Sequence, residues 1–228
     1  MIFAITFLFF HWYISLFFQS FYLHRYISHH MFRLTPFWNR IFCFLTIISQ
    51  GPSFLRPGLY KSLHTKHHRY SDSDKDPHSP HFHKNIFEMM TTTLNEYLKE
   101  KDAKEDFPFM VKFFDSFIMR FSFVIFYCFL YLKFTDSYWY LLLVPIHSLM
   151  GPIHGAIVNW FGHKKGYRNF ETDDYSKNTF LFDFLMMGEL YQNNHHAYPT
   201  KSNFSMKKGE LDLTYLLIFS FKKIKILY

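Results

Sequence analysis

Histidine is the residue type that stands out for chemistry in this chain, with 15 copies in 228 residues. It concentrates in four segments, HRYISHH (24–30), HTKHH (64–68), NWFGH (159–163) and QNNHH (192–196). On a helix, positions i, i+3 and i+4 lie on one face. The second segment has histidine at all three positions, and the fourth repeats the spacing with Gln192 at the first. The pattern predicts clustered imidazoles.

Imidazole clusters of this kind are typical of metal sites. Neutral imidazole binds Zn, Cu, Fe or Ni rather than Ca or Mg. One ion takes about four to six ligands, and the number of clustered histidines exceeds that, so the sequence predicts two ions. In each triplet the adjacent positions can lean toward different ions. The predicted ligands are His24, His29, His64, His67, His68, His163, His195 and His196.

Other residues near these segments are candidates for supporting roles. Asp72 and Asp76 follow the second segment and could orient ligand imidazoles through their other ring N–H. His30 is predicted to be either a spare ligand or such a supporting residue. Surface or supporting roles are predicted for His78, His81 and His83, and structural roles within apolar segments for His11, His147 and His154.

The composition excludes several classes of protein. Aromatic residues make up 23% of the chain, which argues against disorder, and two cysteines are too few for a disulfide scaffold. The net charge of +7 is mild, and the charge-free apolar runs favour a membrane over nucleic acid as partner. No dinucleotide motif, iron–sulfur cysteine set or nucleophile elbow is present. A redox reaction would therefore draw its electrons from another protein.

The apolar runs must position the histidines, and they predict an integral membrane protein. Residues 1–23 and 137–160 are long enough to cross a bilayer. Residues 113–134 form a weaker span, which Arg120 interrupts. Residues 41–55 are too short and contain Gly51-Pro52, so we expect a re-entrant or interfacial helix. Residues 213–228 are apolar and then basic, which is typical of an interfacial helix.

The distribution of lysine and arginine predicts the sidedness of the chain. By the positive-inside rule, the polar segments 24–36, 56–110 and 164–210 face the cytoplasm, and the cap is expected over 56–110 and 161–210. The predicted fold is therefore a single all-α membrane domain over 1–228. It has three full spans, one re-entrant or interfacial helix and a cytoplasmic helical cap that carries the histidine segments.

The histidine segments resemble the boxes of the membrane fatty acid desaturase family, in particular its acyl-CoA Δ9 branch. HRYISH (24–29) resembles the HxxxxH box, HTKHH the HxxHH box and QNNHH the last box. The flanking DPH (76–78), GYRNF (166–170) and GELYQNNHHAYP (188–199) are also similar. The resemblance runs nearly from end to end, and several boxes in this order are a strong signal.

The resemblance implies a di-iron centre on the cytoplasmic face, with the eight histidines above as ligands and Asn159 holding a metal-bound water. It implies O2-dependent insertion of a cis double bond into a fatty acyl chain carried by CoA or a similar thioester or lipid. It also implies electrons from a ferredoxin-like or cytochrome b5-like protein, and no catalytic residue beyond the metal centre. The spacing alone would permit zinc.

The sequence departs from this branch in two places. Gln192 stands where the branch usually has histidine. An amide oxygen is a harder and weaker donor than imidazole, although front-end desaturases also carry glutamine there, so Gln192 is only a candidate ligand. The first box also follows the first span, whereas the eukaryotic acyl-CoA enzymes have two spans before it.

The carrier and the reaction have alternatives. If the carrier is CoA, its phosphates need cations, and the candidates are Lys61, Lys66, Lys164, Lys165, Arg168 and Lys201. A di-iron hydroxylase of an alkyl or acyl chain would have similar boxes. A zinc-binding protein without redox activity is a third possibility, which metal analysis would identify.

Overall fold

A computed structural model describes residues 1–100 and 103–228, and these residues form helices joined by loops. Lys101 and Asp102, inside the predicted cap segment 56–110, lie outside the described residues. The helices are α1 (Ile2–Phe18, continuing as a π-helix over Gln19–Ser28), α2 (Pro36–Gln50), α3 (Pro57–Tyr70), α4 (Ile86–Lys99), α5 (Pro108–Asp115), α6 (Phe117–Phe134), α7 (Val144–Ser148), α8 (Met150–Lys164), α9 (Gln192–Ala197) and α10 (Leu213–Lys223). The all-α class is confirmed, since the described part contains only isolated β-bridges.

Within residues 1–100 and 103–228, two helices are each long and apolar enough to cross a membrane. They are the continuous helix Ile2–Ser28 and α6. The predicted span over 137–160 is bent rather than straight. Tyr138–Ser148 and Met150–Lys164, which together are long and apolar enough to cross a membrane, meet at an angle of 61°. Pro145 and Pro152 lie on the two sides of this bend, and proline removes helix hydrogen bonds.

The two shorter apolar segments also differ in their bounds from the prediction. α2 begins at Pro36, where the Thr35 hydroxyl accepts the Trp38 backbone N–H, and it ends at Gln50, before Gly51 with its φ of 59°. Its 15 residues correspond to about 22 Å of helix, which is short for a crossing. The predicted helix 213–228 ends at Lys223, and Leu227 instead pairs with Leu34 in a β-bridge.

The π-helical end of α1 lies at the centre of the packing. Phe21 and Leu23 are fully buried in a core that also contains Phe42 of α2 and Ile218 of α10. Arg120 of α6, which interrupts the apolar run, pairs with Asp115 and donates to the backbone oxygens of Pro52 and Phe54. One carboxylate and two carbonyl oxygens thus compensate the Arg120 charge beside the apolar run.

Candidate metal centre

Five histidines from three helices converge on one point, and we call them the five-histidine group. Their Nε2 atoms contact one another directly: the separations are 2.7 Å between His29 and His64, 3.0 Å between His24 and His195, 3.0 Å between His68 and His195, and 3.1 Å between His64 and His68. One ligand atom from each of the five lies within 4.8 Å of the others.

These separations fit nitrogen ligands around one ion. Two imidazole nitrogens at about 2.1 Å from an ion, at a right angle to each other, lie about 3.0 Å apart. His24 donates its Nδ1–H to the acceptor-only carboxylate of Glu189 at 2.6 Å. With its proton on Nδ1, the His24 ring directs a lone pair from Nε2 into the group, as a metal ligand must.

The π-helix explains how His24 and His29 share one side of α1. Residues five apart on an α-helix lie about 140° apart around the axis. A π-helix closes i to i+5 hydrogen bonds instead, and the His29 N–H donates to the His24 carbonyl oxygen at 3.2 Å. The two ring centroids are consequently 5.1 Å apart. The wider helix thus lets two histidines five residues apart reach one group.

His67, His163 and His196 form a second cluster, the three-histidine group. Their ring centroids lie 5.0 Å apart for His67 and His163, 5.2 Å for His67 and His196, and 5.0 Å for His163 and His196. All three Nε2 atoms are buried and, within the described residues, have no hydrogen-bond partner. Three unsatisfied buried nitrogens that face one point are costly unless something binds them.

The two groups lie side by side. The ring centroids of His68 and His196 are 4.6 Å apart, and those of His67 and His68 are 5.6 Å apart. The i, i+3, i+4 spacing in α3 sends His64 and His68 to one group and His67 to the other. In α9, His195 belongs to the five-histidine group and the adjacent His196 to the three-histidine group. The arrangement can hold two neighbouring ions.

Carboxylates hold all three rings of the three-histidine group through Nδ1. His67 contacts Asp76 at 2.9 Å and His163 contacts Asp72 at 2.7 Å, and these are the two aspartates that the sequence nominated as supporting residues. His196 contacts Asp174 at 2.5 Å. Because a carboxylate only accepts, each ring carries its proton on Nδ1 and directs the Nε2 lone pair inward.

Burial and these pairs set the protonation of the site. Burial lowers the pKa of His64 and that of His195 well below 6.5, and lowers the pKa of His29 to about 2. These rings are therefore neutral at pH 7, the form that binds metal. Burial alone would also lower the pKa of His67, but Asp76 beside it raises this pKa above 6.5.

The carboxylates remain ionised in spite of their burial. Burial would raise the pKa of Asp76, but the His67 ring holds it well below its usual range. Burial would likewise raise the pKa of Asp174, but the hydrogen bond to the His196 ring holds it far below its usual value. The pKa of Glu189 falls to about 2 because His24 and Arg25 outweigh its desolvation.

Sequence reasoning did not identify Glu189, Asp174 or Arg25. Arg25 is fully buried and donates to Glu189 at 2.5 Å and to Asp212 at 2.8 Å. The available signal in the sequence was an arginine directly after His24 at the end of an apolar run, because an arginine that folds into such a place is almost always paired. The partners are more than 160 residues away, so no local pattern identifies them.

The remaining nominated histidines lie outside both groups. His30 has a φ of 52°, is exposed and contacts Lys61 at 2.9 Å, so the turn after the π-helix carries it away from the site. His81 bonds the His163 carbonyl oxygen at 3.0 Å, and His83 bonds the Ser79 carbonyl oxygen at 2.7 Å. His78 is buried beside His67 and Asp76 within 4.8 Å.

The three histidines of the apolar segments lie among those segments, away from the two groups. His11 contacts His147 at 2.6 Å and the Ser49 carbonyl oxygen at 2.7 Å. The Tyr131 hydroxyl contacts the other nitrogen of His147 at 2.5 Å. This buried chain of hydrogen bonds links α1, α2, α6 and α7. His154 packs edge-on against Trp12.

A cavity of about 770 Å³ adjoins both the histidines and the apolar helices. His24, His64, Asn159 and Gln192 line it on the histidine side, and mostly apolar residues line the rest, including Leu16, Leu59, Leu63, Leu94, Leu149 and Val158. Gln192 donates its side-chain N–H to the Glu189 carbonyl oxygen at 2.6 Å. The cavity can accept an apolar chain beside the histidines.

The nominated cations do not form one cluster. Lys61 and Lys66 line a second cavity of about 570 Å³, where Lys66 also pairs with Glu96 at 2.7 Å. Lys164 stacks on Trp160 and Lys201 on Tyr198. Arg168 donates to Thr172, and Lys165 is exposed.

Comparisons with known proteins agree with this arrangement. The family model described as fatty acid desaturase matches residues 1–208. The chain is 29% identical over 217 residues to the Delta-9 desaturase-like 2 protein of Arabidopsis thaliana. This alignment covers 90% of this chain and 69% of that protein. It is 31% identical over 203 residues to the sn-1 stearoyl-lipid 9-desaturase of Synechocystis sp., covering 86% and 61%. It is 26% identical over 248 residues to the hex-5-enoyl-[acyl-carrier protein] acetylenase of Moorena producens, covering 95% and 73%.

Proposed function

The chain belongs to the fatty acid desaturase family, and we propose that it inserts a cis double bond, at a Δ9-type position, into a fatty acyl chain with the use of O2. The resemblance carried by the histidine boxes is thereby confirmed, and membership makes the protein a membrane-associated oxidoreductase that acts on fatty acyl chains. Two of the relatives described above carry Delta-9 or 9-desaturase in their names, which supports the Δ9 position at low identity.

The observation that carries this proposal is the pair of adjoining histidine groups at the wall of an apolar cavity. We assign two iron ions to the groups. The five-histidine group would hold one ion, and His67, His163 and His196 would hold the other. The nitrogen separations near 3 Å and the unpartnered buried Nε2 atoms fit such ligation. When bound, the iron pair would supply the activation of O2 and the removal of two hydrogens.

The residues of the chain would prepare and protect that chemistry. Asp72, Asp76, Asp174 and Glu189 keep the Nδ1 protons of their rings in place, so the Nε2 lone pairs stay aimed inward. The apolar lining would hold the acyl chain extended and exclude water from the reacting methylenes. Chain depth in the cavity would set the position of the double bond.

Asn159 and Gln192 line the cavity beside these groups. We propose that Asn159 holds a water bound to the ion of the three-histidine group. Gln192 is a candidate ligand through its side-chain oxygen, because its side-chain nitrogen is already committed to the Glu189 carbonyl oxygen. An amide oxygen binds iron more weakly than imidazole does, so the contribution of Gln192 is the smaller one.

The proposal includes partners and a location. Electrons would come from a separate ferredoxin-like or cytochrome b5-like protein, at a site on the cytoplasmic face of the membrane. The carrier would be CoA or a membrane lipid. For a phosphate-bearing carrier, Lys61 and Lys66 are the nominated cations that share one cavity.

Expression in a host with a defined lipid profile tests the proposal. Wild type should produce new unsaturated acyl chains by mass spectrometry, and His67→Ala and His195→Ala should each abolish them, because each removes a ligand from a different group. His83→Ala is the matched control and should retain the product, since the His83 ring lies outside both groups and bonds the Ser79 carbonyl oxygen. Hydroxylated chains instead of unsaturated ones would favour the hydroxylase. Bound zinc without iron would refute the redox function.

A further inference from the structure

The two histidine groups differ sharply in the carboxylates behind them. In the three-histidine group every ring contacts an aspartate through Nδ1, at 2.5–2.9 Å. In the five-histidine group, within the described residues, only His24 contacts a carboxylate, that of Glu189. The three-histidine group, although it has fewer imidazoles, therefore has more carboxylates hydrogen-bonded to its rings.

The countercharges increase this difference. Glu189 shares its charge with Arg25 at 2.5 Å, and Arg25 also pairs with Asp212. Arg25 therefore offsets the charge of Glu189 near the five-histidine group. The aspartates Asp72, Asp76 and Asp174 form no ion pair with lysine or arginine in the described part of the chain.

Neutral donors, rather than cations, hold these three aspartates. Asp72 accepts from the Ser79 hydroxyl and the Tyr175 N–H. Asp174 accepts from the side chains of Thr172 and Ser176, and Asp76 accepts from two backbone N–H groups. Each of the three keeps its full charge directed at one imidazole. All three are buried or nearly so, which limits screening by solvent.

Charge in this arrangement acts on the oxidation state of a bound ion. A carboxylate hydrogen-bonded to a ligand imidazole makes the ring a stronger donor, and a negative charge nearby stabilises a trivalent ion more than a divalent one. Five neutral imidazoles with a compensated carboxylate give much less of this preference. The two positions are therefore electrostatically unequal.

We infer that the three-histidine group is the position of higher oxidation state, so that removal of one electron from a reduced iron pair leaves Fe3+ there and Fe2+ in the five-histidine group. The inference rests on the proposed di-iron function. Asp72, Asp76 and Asp174 are positioning residues that set this order, and they contact neither the ion nor the acyl chain.

Redox titration of the purified protein in detergent tests this order. The protein is loaded with 57Fe, reduced without oxygen and oxidised stepwise with ferricyanide, which takes one electron per step and becomes ferrocyanide. The mixed-valence form is followed by electron paramagnetic resonance and Mössbauer spectroscopy. Asp72→Asn should shift the ferric-to-ferrous ratio at a fixed potential at least tenfold toward ferrous, which corresponds to about 59 mV for one electron. It should also change the ferric Mössbauer doublet and leave the ferrous doublet unaltered.

Two comparisons keep the test decisive. Asp174→Asn removes a less deeply buried aspartate and should produce the same shift, even if Asp72→Asn fails to fold. Glu189→Gln is the matched control behind the other group, and it should shift the first oxidation less than threefold. Equal shifts for Glu189→Gln and the aspartate variants, or no shift in Asp174→Asn, would overturn this inference but leave the proposed function standing. A wild-type protein that binds no iron pair would refute the proposed function as well.

Discussion

Substitution of Gly162 by alanine adds one methyl group at the contact between α8 and α9. Gly162 is buried and precedes His163. A Cβ atom there would lie 2.5 Å from Gln192 Cγ and 3.2 Å from Gln192 Cβ. Carbon atoms in contact are normally about 3.5–4.0 Å apart. The Gln192 Cγ atom must therefore move by about 1 Å. Gln192 Cβ, which is fixed to the backbone of α9, must move by a few tenths of an ångström, so the helix that carries His195 and His196 shifts with it.

The magnitude follows from two opposing effects. Glycine to alanine in a helix interior stabilises by about 1 kcal/mol, whereas overpacking of a filled contact costs about 1–3 kcal/mol. We therefore expect Gly162→Ala to lower the free energy of unfolding by a net amount of about 0–2 kcal/mol. A displacement of about 1 Å among catalytic groups reduces turnover about 100-fold, so product yield should fall far more than stability.

Gly155 of the same helix provides the control. A Cβ there meets only Gln19 Nε2, at 4.0 Å, so Gly155→Ala should be neutral or stabilising by up to about 1 kcal/mol. Thermal unfolding in detergent compares the two variants, and iron content and acyl product are measured for Gly162→Ala. If Gly162→Ala is as stable as Gly155→Ala and keeps its iron and its product, the contact between α8 and α9 does not position the histidines.

Acidification should destabilise the metal-free protein. Burial lowers the pKa of His29 to about 2 and that of His196 to about 4, so these rings stay neutral in the folded state while the unfolded chain binds protons below about pH 6.5. The free energy of unfolding is therefore highest above that pH, and each of the two rings lowers it by about 1.4 kcal/mol on going to about pH 5.5. A thermal midpoint that stays constant over this range would contradict the argument. Arg25→Met leaves two buried carboxylates without their cation and should lower the free energy of unfolding by about 3–5 kcal/mol, and a thermal midpoint equal to that of wild type would show that the charge is dispensable. Gln192→Ala should retain more acyl product than His195→Ala, because amide ligation is the weaker contribution, and equal losses would identify Gln192 as a full ligand.

Local spacing predicted much of the centre because helix periodicity is a local property. The i, i+3, i+4 histidines of 64–68 and 192–196 project from one side of their helices in any fold that keeps those helices. The family followed from the same segments. The all-α class followed from apolar runs of helical length. The bend at Leu149 was not predicted, because the prolines on either side occur within an apolar run that reads as continuous.

The sequence by itself determined which residues have the chemistry to bind metal and that they come in helical clusters. Only the tertiary structure decided how they divide into a five-histidine and a three-histidine group and which carboxylate lies behind each ring. His163 and Asp72 are 91 residues apart, and His24 and Glu189 are 165 apart. Such pairs depend on the packing of α1, α3, α8 and α9 against one another, which no spacing within a single helix encodes. The wide π-helical turn that brings His24 and His29 together likewise forms where α1 packs among its neighbours, since the residue types alone do not distinguish it from an α-helix.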